Sequence, residues 1–390
     1  MNIIFFTHPS FLGHQSMPRY AQWLAWGMQE RGHRIAQWTP KARFVSLPVP
    51  QALKKWMGYL DQYVLFPWQV RRRLKQVPTD TLFVFTDHAL GPWVPLVKHR
   101  RHVVHCHDFL AQRSALGLIQ ENPTGWTGQI YQNFIWKGYA RAQNFISISH
   151  QTQRDLHTLL ERRPACSEVV YNGVKSQYRP GSTSEARQQW SQQLQRDLTS
   201  GYLLHVGGNQ WYKNRMGLLE LYTAWRNQSR QNLPLLCIGE APNAELEAFH
   251  EQSPYRQDIY FLTQQSDADV VKAYQGATAF VFPSLAEGFG WPIAEAMAAG
   301  CPVITTQEAP MTEVAGGQAF LIPRQQAGTD WAQRAAGVLE AVVTLTPQER
   351  RQVIEQSLAN AQRFNAERAL DVMEEIYQQI VEKSVDYVTP

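Results

Sequence analysis

Short apolar runs alternate with amphipathic segments along the first part of the chain. The apolar runs are strand-sized: Asn2–Phe6, Arg34–Trp38, Leu82–Thr86, His102–Cys106 and Asn144–Ser149. Between them lie segments with helical spacing: Arg19–Arg31, Gln129–Ala142 and His150–Leu160. Alternation of this kind predicts a parallel sheet with helices on both faces.

The same pattern starts again after a stretch rich in proline, glycine and serine, Gly173–Glu185, which predicts a linker. The second set of predicted strands comprises Tyr202–Val206, Pro234–Ile238, Ile259–Leu262, Ala279–Pro283 and Pro302–Thr305. The predicted helices among them are Asn214–Arg226, Ala268–Gln275 and Pro292–Ala299, and a last helix covers Ala366–Glu382. The sequence therefore predicts an α/β protein with two doubly wound domains, 1–180 and 185–365, whose ligands bind beyond the carboxyl ends of the strands in a cleft between them.

Charge is divided unequally between the two predicted domains. Residues 1–180 contain 22 Lys and Arg against 9 Asp and Glu, whereas residues 181–390 contain 15 against 24, which together give the net charge of +4. A basic half suits an anionic substrate or an anionic membrane surface. Nucleic acid is not expected as a partner, since no nucleic-acid-binding module is recognisable.

The expected compartment is the reducing cytoplasm. The longest apolar runs fall far short of the roughly 20 residues that span a bilayer, and Met1 enters a strand pattern without a charged leader. Cys106, Cys166, Cys237 and Cys301 are too widely spaced to predict a disulfide framework or a zinc cluster.

The segment Phe282–Gly300, FPSLAEGFGWPIAEAMAAG, carries the most chemistry. A predicted strand ends in a glycine-containing loop, and a helix follows with Pro292 at its first position and Gly300 just after its end. Helix N-termini attract anions, and glycine lets backbone approach a ligand closely. Two carboxylates, Glu287 and Glu295, flank this anion-binding feature.

The spacing of these two glutamates resembles the EX7E signature of the family-4 retaining glycosyltransferases, which have the GT-B fold. Further matches to that family are AMAAGCPVITT after the signature, HVGGNQWYKN at His205–Asn214, VYNGV at Val170–Val174, and the His107–Asp108 pair. The resemblance implies transfer of a sugar from a UDP- or GDP-sugar to an acceptor, with anomeric retention and without metal or other cofactor. It also implies that the last helix, within 366–390, crosses back to the first domain, which binds the acceptor.

The resemblance also assigns roles to individual residues. Glu295 would hold the ribose hydroxyls, and Glu287 would contact the donor sugar. Backbone amides of Gly288, Phe289 and Gly290 would bind sugar hydroxyls and the distal phosphate, consistent with the preference of free amides for phosphate oxygens.

Further predicted donor contacts come from Gly207, Gly208, Lys213 and Asn214, with the Lys213 cation over the diphosphate. Many family members carry an arginine shortly before this lysine, and none stands there in this sequence. Either Lys213 acts with backbone amides alone, or an arginine elsewhere assists, of which Arg215 is the nearest. The resemblance also implies that His107 contacts the donor sugar and is catalytic, with Asp108 able to orient it, and that Gly13 lets its loop approach the phosphates. By contrast, Asp267–Ala–Asp269 is interpreted as the capping start of a helix behind Ser266, not as a metal motif.

Basic and aromatic residues alternate within Leu53–Gln76. Segment 53–76 is predicted either to contact the anionic inner face of the membrane or to form a surface helix packed on its domain. Pro67 is expected to interrupt a continuous helix here. The acceptor is expected to be a saccharide or a lipid-linked saccharide.

Two alternatives to a glycosyltransferase remain at this level. A nucleotide-sugar epimerase also uses paired α/β domains and would form product from the donor alone. An inactive sugar-nucleotide-binding subunit would have no chemical need for Glu287, Glu295, Lys213 and His107 together.

Overall fold

The computed structural model describes residues 1–13, 16–326 and 328–383. The chain forms two compact units, Met1–Tyr171 with the C-terminal segment from Glu367, and Asn172–Ala366. Each unit contains one six-stranded sheet whose paired strands run parallel. The predicted doubly wound α/β architecture is confirmed, as is the return of the last helix to the first unit.

The first unit has the strand order β2-β1-β3-β4-β5-β6. Its strands are β1 (Asn2–Phe6), β2 (Arg34–Trp38), β3 (Leu82–Phe85), β4 (His102–Cys106), β5 (Asn144–Ser147) and β6 (Cys166–Val169). Its helices are α1 (Ser16–Glu30), α2 (Gln51–Leu60), α3 (Phe66–Leu74), α4 (Leu110–Ala115), α5 (Trp126–Tyr139) and α6 (His150–Leu159), and the last helix of the chain, α15, covers Ala366–Lys383. Turns of 3₁₀-helix occupy Ser10–Leu12 and His88–Leu96, and Asp61–Leu65 is π-helical.

Helices α1 and α15 pack on one face of the first sheet. His105 of β4 bonds on both sides, to the Tyr20 hydroxyl of α1 at 2.8 Å and to the Tyr377 hydroxyl of α15 at 2.7 Å. Burial lowers the pKa of His105 to about 3, so the ring is neutral and can accept from one hydroxyl while donating to the other. The opposite face holds an apolar core to which β1, β3, α3, α5 and α6 contribute.

The second unit has the strand order β12-β11-β10-β7-β8-β9. Its strands are β7 (Leu203–Gly207), β8 (Leu235–Gly239), β9 (Ile259–Leu262), β10 (Ala279–Phe282), β11 (Val303–Thr306) and β12 (Phe320–Ile322). Its helices are α7 (Thr183–Leu194), α8 (Arg215–Gln228), α9 (Ala244–Gln252), α10 (Asp267–Gly276), α11 (Trp291–Ala298), α12 (Met311–Ala315), α13 (Trp331–Val343) and α14 (Pro347–Ala361). Further 3₁₀ turns cover Trp211–Lys213, Arg256–Asp258 and Gln362–Phe364.

Local capping signals are mostly as the sequence predicts. Ser266 and Asp269 form a capping box at the start of α10, so the DxD pattern does open a helix. Gly300 follows α11 with a left-handed φ of +78°. Pro292 is the second residue of α11, not the first, because the helix begins at Trp291.

The prediction that Pro67 interrupts the helix of residues 53–76 is wrong. Pro67 is the second residue of α3, where the missing N–H is tolerated. The π-helical segment joins α2 to α3, so the chain stays helical from Gln51 to Leu74.

In each sheet the strand order reverses once beside the strand that begins the unit. The reversal lies between β1 and β3 in the first unit and between β7 and β10 in the second. At such a point the connections leave in opposite directions and open a crevice at the carboxyl ends of the strands. Ligand-binding residues of each unit are therefore expected in the loops after these strands.

A glycine pair lets the 3₁₀ segment His88–Leu96 cross α5 closely. A Cβ on Gly138 would stand 2.1 Å from the Gly91 carbonyl oxygen, a backbone atom that cannot move aside alone. We expect Gly138→Ala to lower the free energy of unfolding by about 2 kcal/mol. Gly58→Ala is the control, because its nearest neighbour would be Phe11 at 3.5 Å. Thermal unfolding that leaves Gly138→Ala as stable as Gly58→Ala would contradict this packing argument.

Candidate functional site

The crevice of the second unit is built from the loops after β7 and β10. The Leu285 amide donates to the Tyr212 carbonyl at 2.7 Å, which ties the two loops together. Asn214 adopts a left-handed φ of +52° and caps α8 by accepting from the Gly217 amide. Its amide group also donates to the Pro283 carbonyl at 3.1 Å, so Asn214 fixes the start of α8 against the end of β10.

Lys213 and Glu287 meet in this crevice. The Lys213 Nζ lies 2.8 Å from Glu287 Oε1, and only 14% and 9% of the two side chains are exposed. The ammonium also lies 5.0 Å from the centre of the Phe282 ring. A cation and a carboxylate therefore lie side by side in this crevice.

Glycines line the rest of the crevice. Gly239, at the end of β8, has φ of +145°, and a Cβ there would be 2.1 Å from the Gly207 carbonyl oxygen. A Cβ on Gly208 would crowd Gln210 and Glu240. Gly290 precedes α11 with φ of +101°. Glycine offers no side chain that could cap α11, so its first turn is suited to anion binding.

Glu295 lies in the second turn of α11, beside two tyrosines. The Tyr274 hydroxyl donates to Glu295 Oε2 at 3.4 Å. Burial raises the pKa of Glu295 to about 7, while hydrogen bonds from Tyr178 and Tyr274 oppose the rise. The pKa of a carboxylate is raised in this way where it has been withdrawn from water without a full charge partner.

Phe289 and Gly288 follow Glu287 in the loop before α11. The Phe289 side chain is buried and packs edge-on against Phe364, at 5.4 Å between ring centres. Its ring therefore has a packing role. Donor binding by the Gly288 and Phe289 amides stays a prediction.

Arg215 is held by the loops around it, and a role for it at the donor phosphates stays a prediction. It is buried at the start of α8 and donates to the Glu240 carbonyl at 2.9 Å and to the Asn209 side chain. Its guanidinium lies 5.1 Å from the centre of the Phe261 ring. Arg215 thus holds the loops after β7 and β8 in place.

Two further residues near the carboxyl edge of the second sheet were not identified from the sequence. Arg324 follows the short strand β12 and donates to the Leu285 carbonyl, two residues before Glu287. His205 of β7 bonds to the Val281 carbonyl at 2.9 Å, and burial lowers its pKa to about 3. Only their positions could have pointed to them, since each lies in or just after a strand at this edge of the sheet.

In the first unit, His107 directly follows β4, as predicted. Its Nε2 lies 2.9 Å from the Thr86 carbonyl oxygen, so Nε2 carries the proton and Nδ1 the lone pair. Burial lowers the pKa of His107. The suggestion that Asp108 orients this ring is wrong, since the Asp108 carboxylate accepts from the Leu110 amide. Among the described residues, Nδ1 has no hydrogen-bond partner.

The first-unit crevice also holds a histidine–aspartate cluster that the sequence did not reveal. His8 Nε2 lies 2.8 Å from Asp87 Oδ2, and His88 Nδ1 lies 2.9 Å from Asp87 Oδ1. Although burial opposes it, His88 and His8 hold the pKa of Asp87 well below its usual range. The only available signal was that His8 follows β1 and Asp87 follows β3.

Gly13 ends the 3₁₀ turn Ser10–Leu12 with φ of +72°. A Cβ there would meet nothing within 4 Å, so the left-handed backbone is what calls for glycine. Its contact with donor phosphates stays a prediction.

Two doubly wound units, the second with a lysine–glutamate pair at its crevice, define a GT-B-type protein. The family model "Glycosyl transferases group 1" matches residues 186–356, and the model "Glycosyltransferase Family 4" matches residues 17–178. Together they cover most of the chain. The protein belongs to the family-4 glycosyltransferases with the GT-B fold.

Sequence relatives of this chain are glycosyltransferases, and a solved structure shares its fold. The chain is 35% identical over 118 residues to O-antigen chain mannosyltransferase B of Escherichia coli, covering 30% of this chain and 31% of the relative. It is 23% identical to O-antigen chain mannosyltransferase RfbU of Salmonella typhimurium, over 63% of this chain and 61% of the relative. These matches span less than two thirds of either relative's length. HepE from Anabaena, solved with UDP and glucose, superposes with a TM-score of 0.72 at 16% identity, over 97% of this chain and 100% of HepE.

Removing the lysine of the buried Lys213–Glu287 pair should cost more stability than removing the lysine of an exposed ion pair. Lys213→Met should lower the free energy of unfolding by about 2 kcal/mol, because Glu287 is left as an unpaired charge away from water. Lys175→Met is the matched control: Lys175 and Asp267 are 2.7 Å apart, but their side chains are 62% and 51% exposed. Adding Glu287→Gln should restore part of the loss, as measured by denaturant unfolding. Equal losses for the two lysine variants would contradict a buried pair.

The raised pKa of Glu295 predicts a pH-dependent cost in stability. A carboxyl with a folded pKa of about 7 against an ordinary value of 4.5 destabilises the fold increasingly as pH rises between those values. Glu295→Gln should therefore be more stable than wild type at pH 8, by on the order of 2 kcal/mol, and show no gain near pH 4. Glu251→Gln, at an exposed position on α9, is the comparison. A gain independent of pH would contradict the shift.

Proposed function

We propose that the protein transfers a sugar from a nucleotide-sugar to a saccharide or lipid-linked saccharide acceptor, with anomeric retention and without a metal ion. The observation that carries this proposal is the Lys213–Glu287 pair in the crevice between β7 and β10. Paired opposite charges match a donor that presents an anionic diphosphate next to a sugar with several hydroxyl groups.

The diphosphate would bind across the two loops. Lys213 supplies the positive charge, and the first turn of α11 behind Gly290 supplies amide donors. As the bond from the anomeric carbon to the diphosphate breaks, negative charge builds on the leaving oxygen. A lysine already in place stabilises that charge without reorganisation, which is the largest effect available in the absence of a metal.

The glutamates would bind the two sugars of the donor. Glu287 accepts hydrogen bonds from hydroxyls of the transferred sugar, and Glu295 accepts from the ribose hydroxyls. Binding of hydroxyls to the ionised form of Glu295 would favour loss of its proton, so donor affinity should increase as pH rises through about 7.

Retention fits a front-face transfer. The acceptor hydroxyl attacks the anomeric carbon from the side that the diphosphate leaves, its proton passes to the departing phosphate oxygen, and the new glycosidic bond keeps the original configuration. His107, which follows β4 in the first unit, would contact the donor sugar, and burial lowers its pKa, which favours a neutral ring.

The identities of donor and acceptor follow the relatives only as proposals. Two relatives are named as O-antigen mannosyltransferases, and HepE was solved with UDP and glucose. A UDP- or GDP-sugar donor and an oligosaccharide or lipid-linked acceptor are consistent with both. All four cysteines are free thiols, in keeping with a cytoplasmic protein acting at the inner face of the membrane. No observation favours the epimerase or the inactive subunit.

The test is incubation with a panel of UDP- and GDP-sugars, with and without chelator, scored by nucleotide release and by the anomeric configuration of the product. Glu287→Gln and Lys213→Ala should each lower turnover at least 100-fold, while the proteins stay folded. Arg334→Ala is the control, because Arg334 pairs with Asp330 at an exposed position, 55% and 71% exposed, and it should keep full activity. Undiminished turnover in both site variants would overturn these roles, and an epimerised nucleotide-sugar formed without acceptor would overturn the transferase.

A further inference from the structure

Exposed apolar side chains are concentrated on the first unit. Among the described residues, the large hydrophobic side chains that are exposed all belong to that unit except Leu321. Most of them fall on α2, the π-helical segment, α3 and α5: Leu53, Trp56, Leu60, Val64, Trp68, Trp126, Ile130 and Phe134. Exposed apolar clusters of this kind mark interaction surfaces.

The first stripe runs along the continuous helix from α2 to α3. Leu53, Trp56, Leu60, Val64 and Trp68 follow one another at intervals of three or four residues. Side chains that recur every four residues shift gradually around the axis of an α-helix, because it has fewer than four residues per turn. The π-helical segment Asp61–Leu65 has more residues per turn and keeps the stripe on one side. Its two tryptophans, Trp56 and Trp68, are 60% and 53% exposed.

A second stripe on α5 lies beside the first. Trp126, Ile130 and Phe134 are four residues apart, and Trp126 is 74% exposed. The two helices are joined by tyrosines: the Tyr63 and Tyr131 hydroxyls are 2.7 Å apart, and the Tyr59 and Tyr131 rings stack at 5.9 Å. The two stripes therefore form one surface, which we call the aromatic face.

A loop extends the aromatic face. The buried carboxylate of Asp61, in the π-helical segment, accepts from the amides of Arg43, Phe44 and Val45 at 3.0–3.1 Å. This anchor holds the loop against the helix. Phe44 and Leu47, both exposed, lie in this loop.

Positive charge borders the aromatic face. Arg71, Arg72 and Arg73 are exposed in the last turns of α3, and the Arg72 guanidinium lies 4.8 Å from the centre of the Trp68 ring. Lys54 and Lys55 lie at the start of α2, so the stripe has basic residues at both ends. Exposed tryptophans with flanking arginines match the interface of an anionic bilayer, where aromatic rings enter the headgroup region and cations pair with phosphates.

We propose that the aromatic face, made by α2, the π-helical segment, α3 and α5, is the surface through which this protein binds anionic lipid bilayers. The basic residues give the preference for anionic headgroups, and the tryptophans insert at the interface. Among the residues that the structure describes, no helix is both long and apolar enough to cross a bilayer. This inference rests on the proposed function, because it specifies how the protein is held at the membrane. Vesicle binding is measured without donor, so membrane binding and sugar transfer can each fail without the other.

The test uses the full chain with vesicles of phosphatidylcholine alone or with one third phosphatidylglycerol, scored by co-sedimentation. Binding should require the anionic lipid. Arg71→Glu/Arg72→Glu should weaken it at least tenfold, at roughly 1 kcal/mol for each basic residue lost near the surface. Arg163→Glu/Arg230→Glu changes the net charge equally at exposed sites outside the face and should leave binding within twofold.

Insertion is tested separately with brominated lipids, which quench tryptophan at the depth of the bromine. Trp56→Ser/Trp68→Ser and Trp126→Ser should each reduce quenching and binding. Trp26→Ser is the matched control, since Trp26 is 63% exposed but lies on α1, against the opposite face of the sheet. Donor hydrolysis in solution should be unchanged in all these variants.

Three outcomes would overturn the proposal. The first is no binding to either vesicle, and the second is equal losses in the control and face variants. The third is a concentration-dependent dimer in light scattering that the Trp56 or Trp126 variants abolish, because the face would then be covered by a second copy.

Discussion

The second unit depends on a buried opposite-charge pair at the point where its strand order reverses. Lys213 and Glu287 reach each other because β7 and β10 are neighbours in the sheet, although 71 residues lie between the end of β7 at Gly207 and the start of β10 at Ala279. Asn214 and the Leu285–Tyr212 hydrogen bond hold both loops in register. Each charge offsets the other's loss of hydration, so neither bears the full penalty of desolvation.

Neutral histidines set the character of the first unit. His105 joins α1 to α15 across the sheet, and His107 is held by a backbone carbonyl as a neutral ring. By contrast, the His8–Asp87–His88 cluster keeps a carboxylate ionised at the strand ends. The difference has one cause. Burial without a countercharge favours neutral imidazole, whereas a carboxylate partner favours the charged form.

Much of the second unit's site could be predicted from the sequence, because its residues lie in two contiguous segments. Gly207–Asn214 and Glu287–Glu295 each combine a strand end, glycines and a helix start, and periodicity identifies all of these features. The pairing of Lys213 with Glu287 follows from which strands are neighbours. The role of Arg215 was not predictable, because its partners, Asn209 and the Glu240 carbonyl, come from loops after two different strands. Asp87 and His8 were missed for the same reason, since they are 79 positions apart in the sequence.

The sequence by itself determined the two α/β units, the glycine-rich turns, the unequal charge and the family, because all of these are local patterns or sums along the chain. Only the tertiary structure decided which groups meet. Burial raises the pKa of Glu295 while hydrogen bonds from Tyr178 and Tyr274, distant in sequence, oppose the rise, and the aromatic face needs α5 beside α2. Its straight stripe needs the π-helical segment, which continues into α3, although Pro67 near the start of α3 had suggested a break. Desolvation and side-chain contact depend on distances in space, which strand order and helix packing set and which residue spacing alone does not contain.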